Sequence, residues 1–228
     1  MARFEIAKMT VDGNPNIGVY MHVAENYALV PPSLTEKEEE LVRSTLRVDR
    51  VVRATLFNTR LIGVFAGGNS NGLILPRGVP EDEVKKIKRE LGDINIVLVD
   101  VAENAIGNLL AANDRAAIIY PFFDNSLAKT ISDALGVEVR RASIGGFNVV
   151  GSVLVVTNRG GVVCPEATED EIKLLEEYFR VPIATATVNF GVSFVRAGLV
   201  ANSKGALVGS ETTGPEIVRI QAALGGGG

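Results

Sequence analysis

The sequence predicts an α/β protein in which five strand–strand–helix–strand units of about 45 residues close into a single ring. Two series of markers recur along the chain with one spacing, and each interval carries the same succession of strand-like and helix-like patterning. The fifth unit lacks its last strand, while an unassigned strand at 4–11 precedes the first marker. The first series consists of apolar runs ending in proline: Tyr-Ala-Leu-Val-Pro (27–31), Gly-Leu-Ile-Leu-Pro (72–76), Ala-Ile-Ile-Tyr-Pro (117–121) and Gly-Val-Val-Cys-Pro (161–165). Gly-Ala-Leu-Val-Gly (205–209) is its fifth member, so the last positions 31, 76, 121, 165 and 209 step by 45, 45, 44 and 44. The second series, Gly18, Gly63, Gly107, Gly151 and Gly198, steps by 45, 44, 44 and 47.

Each element follows from local chemistry. A short apolar strand is expected after each glycine, as at 64–66 and 153–156. Asn- and Gly-rich turns follow at 25–26, 69–72, 113–115, 158–161 and 202–205; these residues tolerate positive φ, so the turns read as hairpins. The second strand runs to the proline, which cannot donate to a ladder. A helix comes next. Thr168 and Glu171 have the spacing of a capping box, and Pro80 and Pro215 sit where a first helical turn accepts proline. Apolar residues recur at helical intervals: Val84, Ile87 and Leu91; Leu127, Ile131 and Leu135; Ile172, Leu175 and Phe179; Ile217, Ile220 and Leu224. Third strands are expected at 51–56, 94–99, 137–142 and 182–188. The strand at 4–11 would complete the fifth unit and leave no open seam. The expected organisation is one domain, 1–224, with units at 12–56, 57–101, 102–144, 145–188 and 189–224, and a flexible glycine tail at 225–228. Eight strand–helix units, as an α/β barrel requires, do not fit this period.

Composition narrows the function classes. Of 228 residues, 46% are apolar and 22% charged, which excludes a disordered chain. The charge of −4 and the absence of a basic stripe argue against a protein that grips nucleic acid through phosphates. One His and one Cys cannot make a His/Cys metal cluster, and neither a metal nor another cofactor is expected. No secretory signal or membrane-length apolar run is visible, so a cytoplasmic globular protein is expected.

Five strand–strand–helix–strand units in a ring resemble the pentein, or five-fold pseudosymmetric α/β propeller, architecture. Within it, the chain is similar to the archaeal translation initiation factor six family of ribosome anti-association factors. The resemblance rests on Ala-Ile-Gly-Asn at 105–108 with Asn113 and Asp114 downstream, and on Thr-Asn-Arg-Gly-Gly at 157–161. Thr-Val-Asn-Phe-Gly at 187–191, Ala-Asn-Ser-Lys-Gly-Ala at 201–206 and Thr-Thr-Gly-Pro-Glu at 212–216 add to it. It implies a non-enzymatic protein that binds the large ribosomal subunit on the face meeting the small subunit, blocks joining, and serves large-subunit maturation. The glycine-only tail departs from family members with a longer polar end.

The residue after each marker glycine should share one level of the ring: Val19, Val64, Asn108, Ser152 and Leu199, with Val153 one step further. These six are the candidate ribosome-binding residues; a core role is the alternative for the apolar ones. The resemblance places Asn108 at a position tied to large-subunit contact, and Val64 and Val153 at neighbouring contact positions with different side chains. The acidic balance implies docking chiefly on ribosomal proteins, with little direct rRNA contact, no membrane, and a monomer.

Two other functions compete. A generic protein-interaction ring would have another partner, and a guanidine-modifying pentein enzyme would use Cys164 as nucleophile with a His acid/base. Cys164 ends an apolar strand, and its repeat equivalents are Val30, Leu75, Tyr120 and Val208, so a core thiol is expected. His22 reads as a strand histidine, partly buried or facing the axis. The glycine run at 67–72 lacks a P-loop lysine and reads as a hairpin turn. The segment 212–216 reads as a helix cap, the acidic run 36–40 as a solvated helix face, and Asp100 with Glu103 as surface carboxylates.

Overall fold

A computed structural model describes residues 3–226. The N-terminal strand is β1 (Glu5–Met9). Unit one comprises α1 (Ile17–Tyr20), β2 (His22–Val23), β3 (Tyr27–Val30), α2 (Glu36–Leu46) and β4 (Arg50–Arg53). Unit two has α3 (Ile62–Phe65), β5 (Gly67–Gly68), β6 (Gly72–Pro76), α4 (Glu81–Leu91) and β7 (Asn95–Val99). Unit three has α5 (Ile106–Leu109), β8 (Leu110–Ala112), β9 (Ala116–Ile119), α6 (Asn125–Leu135) and β10 (Glu138–Arg141). Unit four has α7 (Val150–Val153), β11 (Leu154–Val156), β12 (Gly161–Val163), α8 (Glu169–Phe179) and β13 (Ile183–Thr185). Unit five ends the series with α9 (Val195–Gly198), β14 (Leu199–Ala201), β15 (Gly205–Gly209) and α10 (Gly214–Gly225).

Five three-stranded sheets result, each with the same order. The inner strand is antiparallel to the middle one, as Val23 faces Ala28, and the middle strand is parallel to the outer, as Ala28 faces Val51. The long helix makes the crossover between them. The fifth sheet takes its outer strand from the N-terminus: β1 runs parallel to β15 from Glu5 opposite Gly205 to Met9 opposite Gly209. The ring is therefore closed by its first strand, as the sequence predicts.

Three expectations about local structure need correction. The marker glycine does not open a strand; it lies in a four-residue helical turn, and the inner strand begins only after it. Nor do the Asn-rich hairpin turns use positive φ, since none of their asparagines adopts it. Instead the side chains do the turning. Asn69 Oδ1 accepts the N–H groups of Asn71 and Gly72, Asn113 Oδ1 those of Arg115 and Ala116, and Asn202 Oδ1 those of Lys204 and Gly205. The expected tail also shortens: Gly225 is the buried last residue of α10 and Gly226 its cap, and 227–228 lie outside the described residues.

The capping box of Thr168 and Glu171 forms, and a second one joins Thr35 to Glu38. Pro215 sits in the first turn of α10, whereas Pro80 is one place earlier, as the N-cap of α4.

The apolar cores lie between units, not within them. One packs Tyr27, Leu29 and Val52 of unit one against Leu73, Leu75, Ile87 and Leu91 of unit two. Another packs Ala116 and Ile118 of unit three against Leu154, Leu175 and Phe179 of unit four. A lone unit would leave both its faces in water, so stability belongs to the closed array. Asparagine latches reinforce three seams. Asn69 Nδ2 donates to Asn113 O and Leu135 O, each at 3.1 Å, and Asn113 Nδ2 donates to Thr157 O at 3.1 Å and Phe179 O at 3.2 Å. Asn202 Nδ2 donates to Leu46 O at 2.7 Å, joining unit five to unit one.

Around the axis the backbones touch. A Cβ on Gly63 would stand 1.9 Å from Gly18 O, and one on Gly107 2.0 Å from Gly63 O, so the helical turns stack carbonyl to glycine. Gly63→Ala should cost about 1–3 kcal/mol or more in urea denaturation, because backbone must move to admit the methyl. Asn113→Ala should cost about 1–3 kcal/mol by stripping two buried carbonyls of their donor. A loss below about 0.5 kcal/mol in either variant would contradict the packing described.

Candidate interaction face at the axial mouth

The five helical turns form one end of the axis. Their sequences, Ile-Gly-Val-Tyr, Ile-Gly-Val-Phe, Ile-Gly-Asn-Leu, Val-Gly-Ser-Val and Val-Arg-Ala-Gly, bury the first residue and bring the second into the backbone stack. The third faces a shallow depression of about 210 Å³, lined by Val19, Val64, Asn108, Ser152 and Ala197 with Phe194, Gly18 and Arg196. Four of the sequence-derived candidates, Val19, Val64, Asn108 and Ser152, are thus together and half-buried at the mouth.

The other two are not. Val153 and Leu199 are 0% exposed, Val153 in the core between units three and four and Leu199 in the core between units four and five. Val153 is the fourth residue of its helical turn, which points inward. Leu199 follows Gly198, whose step of 47 is out of register. The residue 45 after Gly151 is Arg196, so the fifth unit carries arginine where the others carry glycine, and Ala197 is the true equivalent of Asn108. The uneven step was the visible signal for this.

Tight turns preceding the helical turns build a rim. Four are closed by bridges, Val11 to Asn14, Leu56 to Thr59, Ile144 to Phe147 and Val188 to Val192. Here positive φ does appear, at Asp12, Gly13, Phe57, Asn58, Gly145, Gly146, Asn189, Phe190 and Gly191. An acidic residue from the first turn of the unit's long helix clamps three of them. Glu83 accepts the Asn58 N–H at 3.0 Å, Glu171 the Gly145 N–H at 3.1 Å and Glu216 the Gly191 N–H at 2.9 Å. Burial opposes the Glu216 charge, but hydrogen bonds from Thr213, Thr187 and Gly191 outweigh it and hold the carboxyl near 2. The segment 212–216 is thus a cap in which the Thr213 N–H and hydroxyl both donate to Glu216, with Thr212 itself 0% exposed.

The rim is aromatic. Phe190 is 82% exposed and Phe194 39%, and the Phe147 ring lies 5.2 Å from that of Phe194. Phe57 stacks edge-on to Phe65 at 4.9 Å. Charge at the mouth is sparse: an Asp12–Arg60 ion pair joins neighbouring turns, and Arg196 sits on the axis.

The catalytic alternative finds no support in geometry. Cys164 is 0% exposed in the core between units three and four, and burial first, then the Glu166 charge, pushes its thiol up to about 11. His22 is 3% exposed on β2 and engages Tyr27, not the cysteine. Among the described residues no group of three or more His, Cys, Asp and Glu side chains is placed to hold a metal. Asp100 and Glu103 are exposed, and within the run 36–40 Glu39 pairs with Arg43 and Arg53. Among the described residues no helix is long and apolar enough to cross a membrane.

The family model described as the eIF-6 family matches residues 6–223. Among curated relatives, the chain is 47% identical over 226 residues to translation initiation factor 6 of Aeropyrum pernix, covering 98% of this chain and 97% of that one. It is 43% identical to the protein of that name from Thermococcus onnurineus over 224 residues, 96% and 98% of the two chains. It is 42% identical to that from Saccharolobus islandicus over 221 residues, 96% and 99%.

Two measurements check the buried groups. Native Cys164 should resist maleimide labelling at pH 7.5 for hours and react within minutes in denaturant; fast native labelling would reinstate an activated thiolate. Burial, then the Arg196 charge, lowers His22 from 6.5 to about 3. The unfolded chain therefore takes up a proton that the folded chain refuses. This contribution is complete above pH 6.5 and is lost on acidification, at up to about 1.4 kcal/mol per pH unit. Urea titrations between pH 7 and 5 should show a shallower loss for His22→Gln than for the unaltered protein; equal slopes would place His22 in solvent.

Proposed function

Because the chain belongs to the eIF-6 family, whose relatives are translation initiation factors, we propose that it binds the large ribosomal subunit and sterically prevents association with the small subunit. The observation that supports this reading best is the mouth itself. All five units contribute one small, uncharged side chain to a shallow seat, with Phe194 in its lining and exposed Phe190 on the tight turn that precedes the fifth helical turn. A face of this kind fits a protein partner whose apolar side chains enter the seat while the aromatic rim seals the contact. Asn108 and Ser152 supply the polar groups that fix orientation. Val19, Val64, Asn108 and Ser152 are the proposed binding residues, joined by Ala197 and the rim phenylalanines.

The mechanism needs no catalysis. A ring held by backbone contacts around its axis and by a core at each seam is stiff, so occupying the joining face is enough to exclude the other subunit. With a charge of −4, docking on basic ribosomal proteins is favoured over direct rRNA contact, and complementary charge speeds encounter. The protein would act as a cytoplasmic monomer, and the same docking would serve large-subunit maturation.

Sucrose-gradient sedimentation with purified subunits tests this. The protein should co-migrate with the large subunit alone and deplete joined ribosomes. Asn108→Glu should weaken large-subunit binding at least tenfold with an unchanged Tm; unaltered affinity would remove the mouth from the interface. The logarithm of affinity should fall only gently with that of salt concentration. A slope near that of a six-phosphate contact, about −5, would instead mean binding through rRNA.

A further inference from the structure

We infer that the axis of the ring, behind the mouth, is a binding site for one small monovalent anion of chloride size, held between Arg196 and His22. The site does not depend on what the outer face binds.

The axis opens there into a cavity of about 40 Å³, lined by the inner strands of all five units and by His22 and Arg196. That is room for roughly three waters, or for a halide and a water. Arg196 lines both this cavity and the mouth, so its side chain spans the passage between them. Burial lowers its guanidinium to about 10, which leaves it charged at neutral pH. Its Nη1 donates to Gly107 O at 3.3 Å, and among the described residues no carboxylate forms an ion pair with it. Arg196 is half-buried, and a cation in that setting without a protein counter-charge attracts an anion, since water alone does not neutralise it.

The acids nearest the axis cannot supply the charge. Glu25 and Asp114 stand at the opposite, hairpin end. Glu25 accepts from the Ser203 N–H and hydroxyl and from the Asn158 N–H. Asp114 accepts from the Ser70 N–H at 3.0 Å and from Asn158 Nδ2 at 2.6 Å. Their negative charge at that end disfavours a multivalent anion, and the single positive charge of Arg196 matches a monovalent one.

His22 supplies the second, independent mark. Its Nδ1 is buried with no protein partner, while Nε2 lies 3.3 Å from the Tyr27 hydroxyl. Tyr27 in turn lies 3.3 Å from Asn69 O. Two proton arrangements fit these contacts. If Tyr27 donates to Asn69 O, then Nε2–H donates to Tyr27 and Nδ1 is a bare lone pair. If Tyr27 donates to Nε2, then Nδ1–H is a donor free to meet an anion beside Arg196. Occupancy selects the second, so the anion sets the tautomer of His22.

Bromide and chloride are the probes, with gluconate as an anion too large to enter. Crystals of the whole protein soaked in sodium bromide should show an anomalous peak on the axis within hydrogen-bond reach of Arg196. At constant ionic strength, replacing gluconate by chloride should raise Tm by several degrees and saturate. Nitrogen-15 shifts of His22 should move from the Nε2–H to the Nδ1–H pattern over the same range. Arg196→Met should abolish both responses. Superimposed chloride and gluconate curves, bromide at surface sites only, or a His22 tautomer indifferent to chloride would each overturn the proposal. Should Arg196→Met not fold, the bromide position and the His22 tautomer of the unaltered protein decide alone.

Discussion

Everything about this ring is scaled by one contact, a carbonyl oxygen of one unit seated where the next unit's Cβ would be. With Gly18 O 1.9 Å from the place of a Cβ on Gly63, and Gly63 O 2.0 Å from that on Gly107, the helical turns can approach no closer. That approach sets the width of the axis, and with it the angle at which the five sheets meet and the depth of the seams between them. It also makes the mouth shallow. Because the second residue of each turn is consumed by packing, only the third can face outward, and these third residues are Val, Val, Asn, Ser and Ala. The chemistry presented at this end is therefore modest and uncharged as a direct consequence of how tightly the turns pack. Arg196 marks the one turn where the stacking position carries a side chain, and among the described residues it is the one charged side chain lining the mouth depression.

The seams explain why the molecule behaves as a unit. Each apolar cluster draws on two neighbouring units, so no unit owns a core. Hydrogen bonds follow the same rule, with latch asparagines reaching across to the next hairpin and the next helix. Where the asparagine is missing, the substitutes differ: Ala24 stands at the equivalent place in unit one, and Tyr27 reaches Asn69 O instead. The five joints are alike in plan and unequal in detail.

Much of this was legible in the sequence. The period, the long helices, the order of elements and the closing role of the N-terminal strand follow from spacing and from one strand too few at one end and one too many at the other. The helical turns escaped because four residues cannot display a 3.6-residue period, and a glycine followed by apolar residues looks equally like a strand. The fifth register slipped because Gly198 is a glycine in nearly the right place, whereas its true equivalent, Arg196, shares no chemistry with the other four. Val153 and Leu199 were misplaced for those two reasons respectively. The aromatic rim had no sequence signature at all. Whether Phe190 and Phe194 are core or surface is decided by the left-handed turn that carries them outward, and that turn is held by Glu216, 26 and 22 positions away in the chain.

The pairing of β1 with β15 has a consequence for the order in which the molecule comes into being. Residues 5–9 are made 200 residues before their partner, 205–209. For most of synthesis the nascent chain is an open arc with an unpaired strand at its head. Such an edge invites pairing with other chains, and the loop that must close to satisfy it is almost the whole polypeptide. Charged residues at Glu5 and Lys8 sit on that strand, which blunts its appeal to a foreign partner during the wait. The strand that locks the finished ring thus has no partner until residues 205–209 have been made, and the ring cannot close before then.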